Sequence, residues 1–93
     1  MEAGLPKQIT LSHEVLFQEL DNESILLNLR NDAYYRLDDV GTRFWQLFGE
    51  VGEVELVVAQ MLTEYAVDET RLCQDLVTFL GLMTDAGVVT IAN

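Results

Sequence analysis

The stretch Ala33-Tyr34-Tyr35-Arg36-Leu37-Asp38-Asp39-Val40-Gly41-Thr42-Arg43-Phe44-Trp45 decides how the chain is read, because its period changes halfway. Ala33 to Leu37 alternates as a short strand, with Ala33, Tyr35 and Leu37 on one face and Tyr34 and Arg36 on the other. Beyond Asp38-Asp39, the apolar residues Val40, Phe44, Leu47 and Phe48 fall at helical spacing. The two aspartates sit at the switch, where a short acceptor side chain binds free backbone N–H groups and negative charge suits a helix N-terminus. An aromatic strand is therefore joined to a helix by a fixed corner.

Upstream of this corner, Val15 to Leu20 reads as a strand, Asp21-Asn22-Glu23 as a turn, and Ser24 to Leu29 as a second strand with Ile25, Leu27 and Leu29 on its buried face. Arg30-Asn31-Asp32 is a further turn, so the three strands form an antiparallel meander. Residues 1–12 carry Gly4 and Pro6 and read as an irregular arm, although Ile9 and Leu11 alternate weakly with polar neighbours. Downstream, the first helix is expected over about Asp39 to Phe48, ended by Gly49 and Gly52. Gly41 costs this helix roughly 1 kcal/mol relative to alanine, which suggests close backbone packing. A second helix is expected over about Val54 to Tyr65, and a third from Glu69 to Asp85, capped by Asp68 and stopped by Gly87. The third is apolar over a wide arc that includes Leu72, Cys73, Leu76, Val77, Phe79, Leu80 and Met83. A short extended tail, Val88 to Ile91, follows. The expected fold class is α+β, a three-stranded antiparallel meander followed by three helices, close to a winged-helix arrangement.

Totals narrow the function. The chain has 93 residues, enough for one small domain, and 49% of them are hydrophobic, enough for a core. Sixteen acids against five bases give a net charge of -11. That balance argues against nucleic acid, which demands cations to displace phosphate counterions, and against an anionic membrane surface. It serves solubility or attracts a basic partner. No apolar run approaches membrane-spanning length, Met1-Glu2-Ala3-Gly4 lacks the basic start of a secretory signal, and the single cysteine fits a reducing compartment. A cytoplasmic location is expected.

The chemistry of catalysis is nearly missing. His13 and Cys73 are far apart in sequence, metal-ligand spacings are absent, no cofactor is implied, and Gly49 and Gly52 lack the lysine of a phosphate loop. Binding is better supported. The aromatic strand comes last in the meander and is expected at its edge, where an extended peptide can add by main-chain hydrogen bonds. Tyr34, Tyr35 and Arg36 would face or flank the guest, with the apolar third helix as the far wall. In the rival reading both tyrosines pack and the N-terminal arm covers the edge.

Ile25-Leu26-Leu27-Asn28-Leu29, followed by Tyr34-Tyr35-Arg36-Leu37-Asp38-Asp39-Val40-Gly41-Thr42-Arg43-Phe44-Trp45, resembles the PqqD-like family, the RiPP recognition element. The likeness continues through Tyr65-Ala66-Val67-Asp68 and Leu82-Met83-Thr84-Asp85-Ala86-Gly87-Val88-Val89, and spans residues 13–91, the expected peptide-binding domain. The resemblance implies a module without enzymatic activity that binds the leader of a ribosomally made precursor peptide and presents its core to a modifying enzyme. That enzyme would be a radical-SAM enzyme, a leader peptidase or a cyclase. By position, the resemblance implies a peptide site formed by Ala33, Tyr34, Tyr35, Arg36 and Leu37 of the strand with Arg71, Leu72, Asp75, Leu76 and Phe79 of the third helix. A winged-helix DNA-binding regulator and a structural subunit that forms a homodimer through the wide apolar helix are the alternatives.

Overall fold

A computed structural model describes residues 5–92 of the chain. The meander consists of β2 (Val15–Leu20), β3 (Glu23–Asn28) and β4 (Ala33–Leu37), antiparallel in the order β2-β3-β4. Its turns place Asp21 and Asp32 at positive φ, 62° and 59°, a conformation that aspartate tolerates better than most residues. Three helices follow: α1 (Asp39–Val51), α2 (Val54–Glu64) and α3 (Glu69–Asp85). Asp38 and Asp68 cap α1 and α3, accepting from the backbone N–H of Gly41 and Arg71 at 2.8 Å. α1 runs past Gly49 and stops at Gly52, at φ 55°.

The irregular arm is the first correction. Its residues 1–4 lie outside those described, but Gln8–Leu11 forms a strand, β1, paired antiparallel with the tail strand β5 (Val89–Ala92). This two-stranded sheet joins the first and last strands among the described residues, from Gln8 opposite Ala92 to Leu11 opposite Val89. Ile9 is buried in the core beneath it. Local pattern showed only weak alternation there because the pairing partner lies about eighty residues away.

The second correction is the facing of β3. Ile25, Leu27 and Leu29 were the expected buried row, yet Ser24, Leu26 and Asn28 point inward and Leu29 is 49% exposed. The register fixes this: Leu26 stands between Phe17 and Tyr35, Asn28 between Val15 and Ala33, and Ser24 between Glu19 and Leu37. A one-residue difference in facing moves every side chain across the sheet. Hydrogen bonds make the two polar residues acceptable inside. Ser24 Oγ meets Thr42 Oγ1 of α1 at 2.7 Å, and Asn28 Nδ2 donates to the Ala86 carbonyl beyond α3 at 3.0 Å.

The core lies between the meander and the helices. Leu26, Leu37, Phe44, Leu47, Val57, Met61, Leu76 and Leu80 are among its buried members. Phe44 of α1 meets Phe79 of α3 with ring centroids 5.3 Å apart, and Trp45 stacks beside Phe17 of β2 at 6.3 Å. The wide arc expected on α3 is narrower in the structure, since Val77 is exposed.

Candidate functional site

β4 is a sheet edge: β3 pairs along one side of it, and no described strand pairs along the other. The rival reading, in which the arm covers this edge, does not hold for the described residues, because β1 pairs with β5. Beside the edge runs a groove of about 600 Å³. Arg36, Leu37 and Asp38 form one bank, Val40, Gly41 and Phe44 of α1 the floor, and Arg71, Asp75, Thr78, Phe79 and Leu82 of α3 the other bank.

The geometry of each bank follows from the sequence. Residues 71, 75, 78 and 82 recur at four- and three-residue intervals and form one stripe of α3. At 1.5 Å per residue the stripe is ~16 Å long. Five residues of β4 at 3.3 Å each span about the same length. The Asn28 bond to Ala86 fastens the end of α3 near Asn28 and its β4 partner Ala33, so the helix runs back along the strand. Gly41 permits the close approach between the banks. A Cβ there would stand 3.2 Å from Asp38 Oδ1, 3.4 Å from Leu37 Cβ and 3.5 Å from Phe79 Cε1. The packing inferred for Gly41 from its helix cost is therefore present.

The ten residues singled out in the sequence separate into three groups. Arg36, Leu37, Arg71, Asp75 and Phe79 are brought together around the groove. Ala33, Tyr34 and Tyr35 continue the same edge strand; Tyr34 is 74% exposed on the outer face and Tyr35 is half-buried on the inner one. Leu72 and Leu76 are 2% and 0% exposed and belong to the core beneath α3, so neither reaches the groove surface. Sequence reasoning missed Asp38 and the α1 residues Val40, Gly41 and Phe44 as groove lining, and Thr78 and Leu82 on α3. Leu82 is 61% exposed on the groove bank, and its place three residues after Phe79 on the 71-75-78 stripe was the signal that pointed to it.

Charge is uneven around the groove. Arg36 contacts a single oxygen, Glu23 Oε1, from Nε and Nη2 at 3.2 and 3.1 Å, and Arg71 lies 3.6 Å from Asp75. Both pairs are exposed and exchange readily with solvent or a ligand. Asp38 is committed to its cap. Away from the groove, Arg43 of α1 clasps both oxygens of Glu64 at the end of α2, at 2.7 and 2.8 Å. Hydrogen bonds from Arg43 and Gln60 hold the Glu64 carboxyl at about 2 instead of its ordinary 4.5. Tyr65 is pushed up by burial and by the carboxylates of Asp39 and Glu64.

The chemistry available at the groove is recognition. Its surface offers apolar area, two guanidinium groups, carboxylates and an unpaired backbone edge. His13 is exposed before β2 and Cys73 is buried in α3. Among the described residues no cluster of three or more His, Cys, Asp or Glu could hold a metal ion, and no helix is long and apolar enough to cross a membrane.

Comparison with known proteins points the same way. No curated protein matches the chain. Among solved structures, the chain is similar to TbiB1 in complex with the TbiA(beta) leader peptide, at 32% identity and a TM-score of 0.80, over 86% of this chain and 93% of that one. It shares its fold with lasso peptide synthetase B1 complexed with the leader peptide, at 20% identity and a TM-score of 0.77, over 89% and 98%. The family model described as coenzyme PQQ synthesis protein D (PqqD) matches residues 23–89, from β3 through the start of β5, and the chain belongs to that family.

Proposed function

We propose that this protein captures the leader segment of a ribosomally synthesised precursor peptide as an added strand on β4, seated against α3. The observation that carries the reading is a β-edge with no strand partner among the described residues, whose last residues Arg36 and Leu37 open onto a groove walled by α3. Main-chain hydrogen bonds to the edge supply affinity, and the Phe79–Leu82 side of the groove selects apolar side chains. The solved relative at 32% identity, a leader-peptide complex, supports this choice of guest.

The protein itself performs no chemistry in this reading. It presents the core of the precursor to a modifying enzyme and raises the local substrate concentration there. A radical-SAM enzyme, a leader peptidase or a cyclase each fits that role. The single buried thiol of Cys73 fits work in a reducing, cytoplasmic setting. A net charge of -11 weighs against the DNA-binding alternative.

The test is titration of the leader encoded by the short open reading frame nearest the gene for this protein, with the amides of β4 followed by hydrogen exchange. Leader binding should slow exchange along Ala33–Leu37. Leu82→Glu, on an exposed site of the groove bank, should cut affinity at least tenfold while leaving the circular dichroism spectrum unchanged. Saturable binding with no protection of β4 would place the guest elsewhere.

A further inference from the structure

The outer face of the meander adds information about which peptide the edge accepts. Cross-strand register places Leu16, Leu27 and Tyr34 in one row and Gln18, Ile25 and Arg36 in the next. Both rows end at β4, where Tyr34 is strongly exposed and the Arg36 side chain is 80% exposed. A strand added to β4 continues both rows by one residue each. Residues at alternate positions share a face, so the two guest side chains that complete the rows are two residues apart.

We propose that the peptide recognised here carries an aromatic or β-branched residue beside Tyr34 and an acidic residue beside Arg36, two positions apart. This rests on the strand-addition reading above. The first preference follows from cross-strand pairing, in which aromatic and β-branched neighbours stabilise one another. The second follows from the guanidinium. Arg36 stands on the ridge between the groove and the outer face. Its present partner is a single oxygen of Glu23, at an exposed position diagonal to it, which leaves other donors of the guanidinium for a second carboxylate. The chain holds only five lysines and arginines, and Arg43, which clasps both oxygens of Glu64, is committed there. The overall charge of -11 repels any acidic guest, but at physiological salt that repulsion is screened beyond ~8 Å, while a contact pair persists.

The experiment uses the full chain, nitrogen-15 labelled, titrated by NMR with blocked heptapeptides up to millimolar concentration. Each peptide has glutamate and tyrosine two residues apart with valine between and beside them, in both chain orders, and each has a glutamine-for-glutamate counterpart. Arg36→Gln should weaken the glutamate peptide in its preferred order about two- to fivefold more than its glutamine counterpart, as for a cross-strand charge pair. Glu23→Gln should strengthen the glutamate peptide alone, because it releases Arg36. Equal losses for both peptides on Arg36→Gln would overturn the acidic preference while leaving strand addition intact. Failure of every peptide to perturb β4, with the folded spectrum retained, would overturn strand addition and the preference with it.

Discussion

Removing the Thr42 hydroxyl should damage this fold more than its size suggests, and removing a second hydroxyl should repair the damage. Thr42 Oγ1 lies 2.7 Å from Ser24 Oγ, and both residues are buried. The same oxygen reaches the Leu37 carbonyl at 3.5 Å, at the end of the edge strand. Thr42→Val keeps the shape and strands the Ser24 hydroxyl in the core. A buried hydroxyl left without a partner costs about 1–3 kcal/mol. For a domain of this size a 2 kcal/mol loss lowers Tm by roughly 8–16 °C. Adding Ser24→Ala deletes the stranded group, so the double variant should return to within about 1 kcal/mol of the parent. Trp45, the only tryptophan, is buried against Phe17 and reports urea unfolding by its fluorescence. Because Ser24 pairs with Leu37 in the sheet, peptide affinity should fall in Thr42→Val and recover in the double variant. Losses that simply add, or a Thr42→Val variant as stable as the parent, would refute the account of this corner.

Three further outcomes are expected. Leu76→Glu places a charge at a fully buried site and should abolish cooperative unfolding and native far-UV circular dichroism, in contrast to Leu82→Glu. Gly41→Val pushes methyl groups against Leu37 and Phe79, which should cost about 1–3 kcal/mol and narrow the groove, with peptide affinity lost more steeply than stability in paired calorimetry and urea titrations. The folded Glu64 carboxyl, at about 2, is more acidic than its unfolded counterpart near 4.5. Stability from its pair with Arg43 is therefore complete above about pH 5 and is lost as pH falls towards 2. The pair is roughly a quarter to a third exposed, so its share should be about 1 kcal/mol. The stability difference between parent and Glu64→Gln should shrink between pH 6 and pH 3, and a constant difference would exclude this origin.

Apart from β1, the elements and their order were legible in the sequence because each is written locally. Asp38, Asp68 and Gly87 mark helix ends through bonds to residues a few positions away, and the 3.6-residue period of α3 needs no partner to be seen. The edge position of β4 was legible too, since a meander leaves its last strand outermost. Half of the groove followed from that strand and from Arg71, Asp75 and Phe79. Leu72 and Leu76 were misplaced because helix boundaries fix a residue's height along the axis but leave open which part of a wide apolar arc turns to the core.

Sequence alone determined where the meander strands and the helices form and that one aromatic strand meets a helix at an aspartate corner. Tertiary structure alone decided which face of β3 turns inward, because apolar residues occupy both faces and the deciding bonds reach across eighteen residues to Thr42 and fifty-eight to Ala86. It alone decided that Gln8–Leu11 and Val89–Ala92 pair as β1 and β5, leaving the β4 edge without a strand partner among the described residues. Partners that distant leave no mark on local periodicity; only folding brings them within hydrogen-bonding reach.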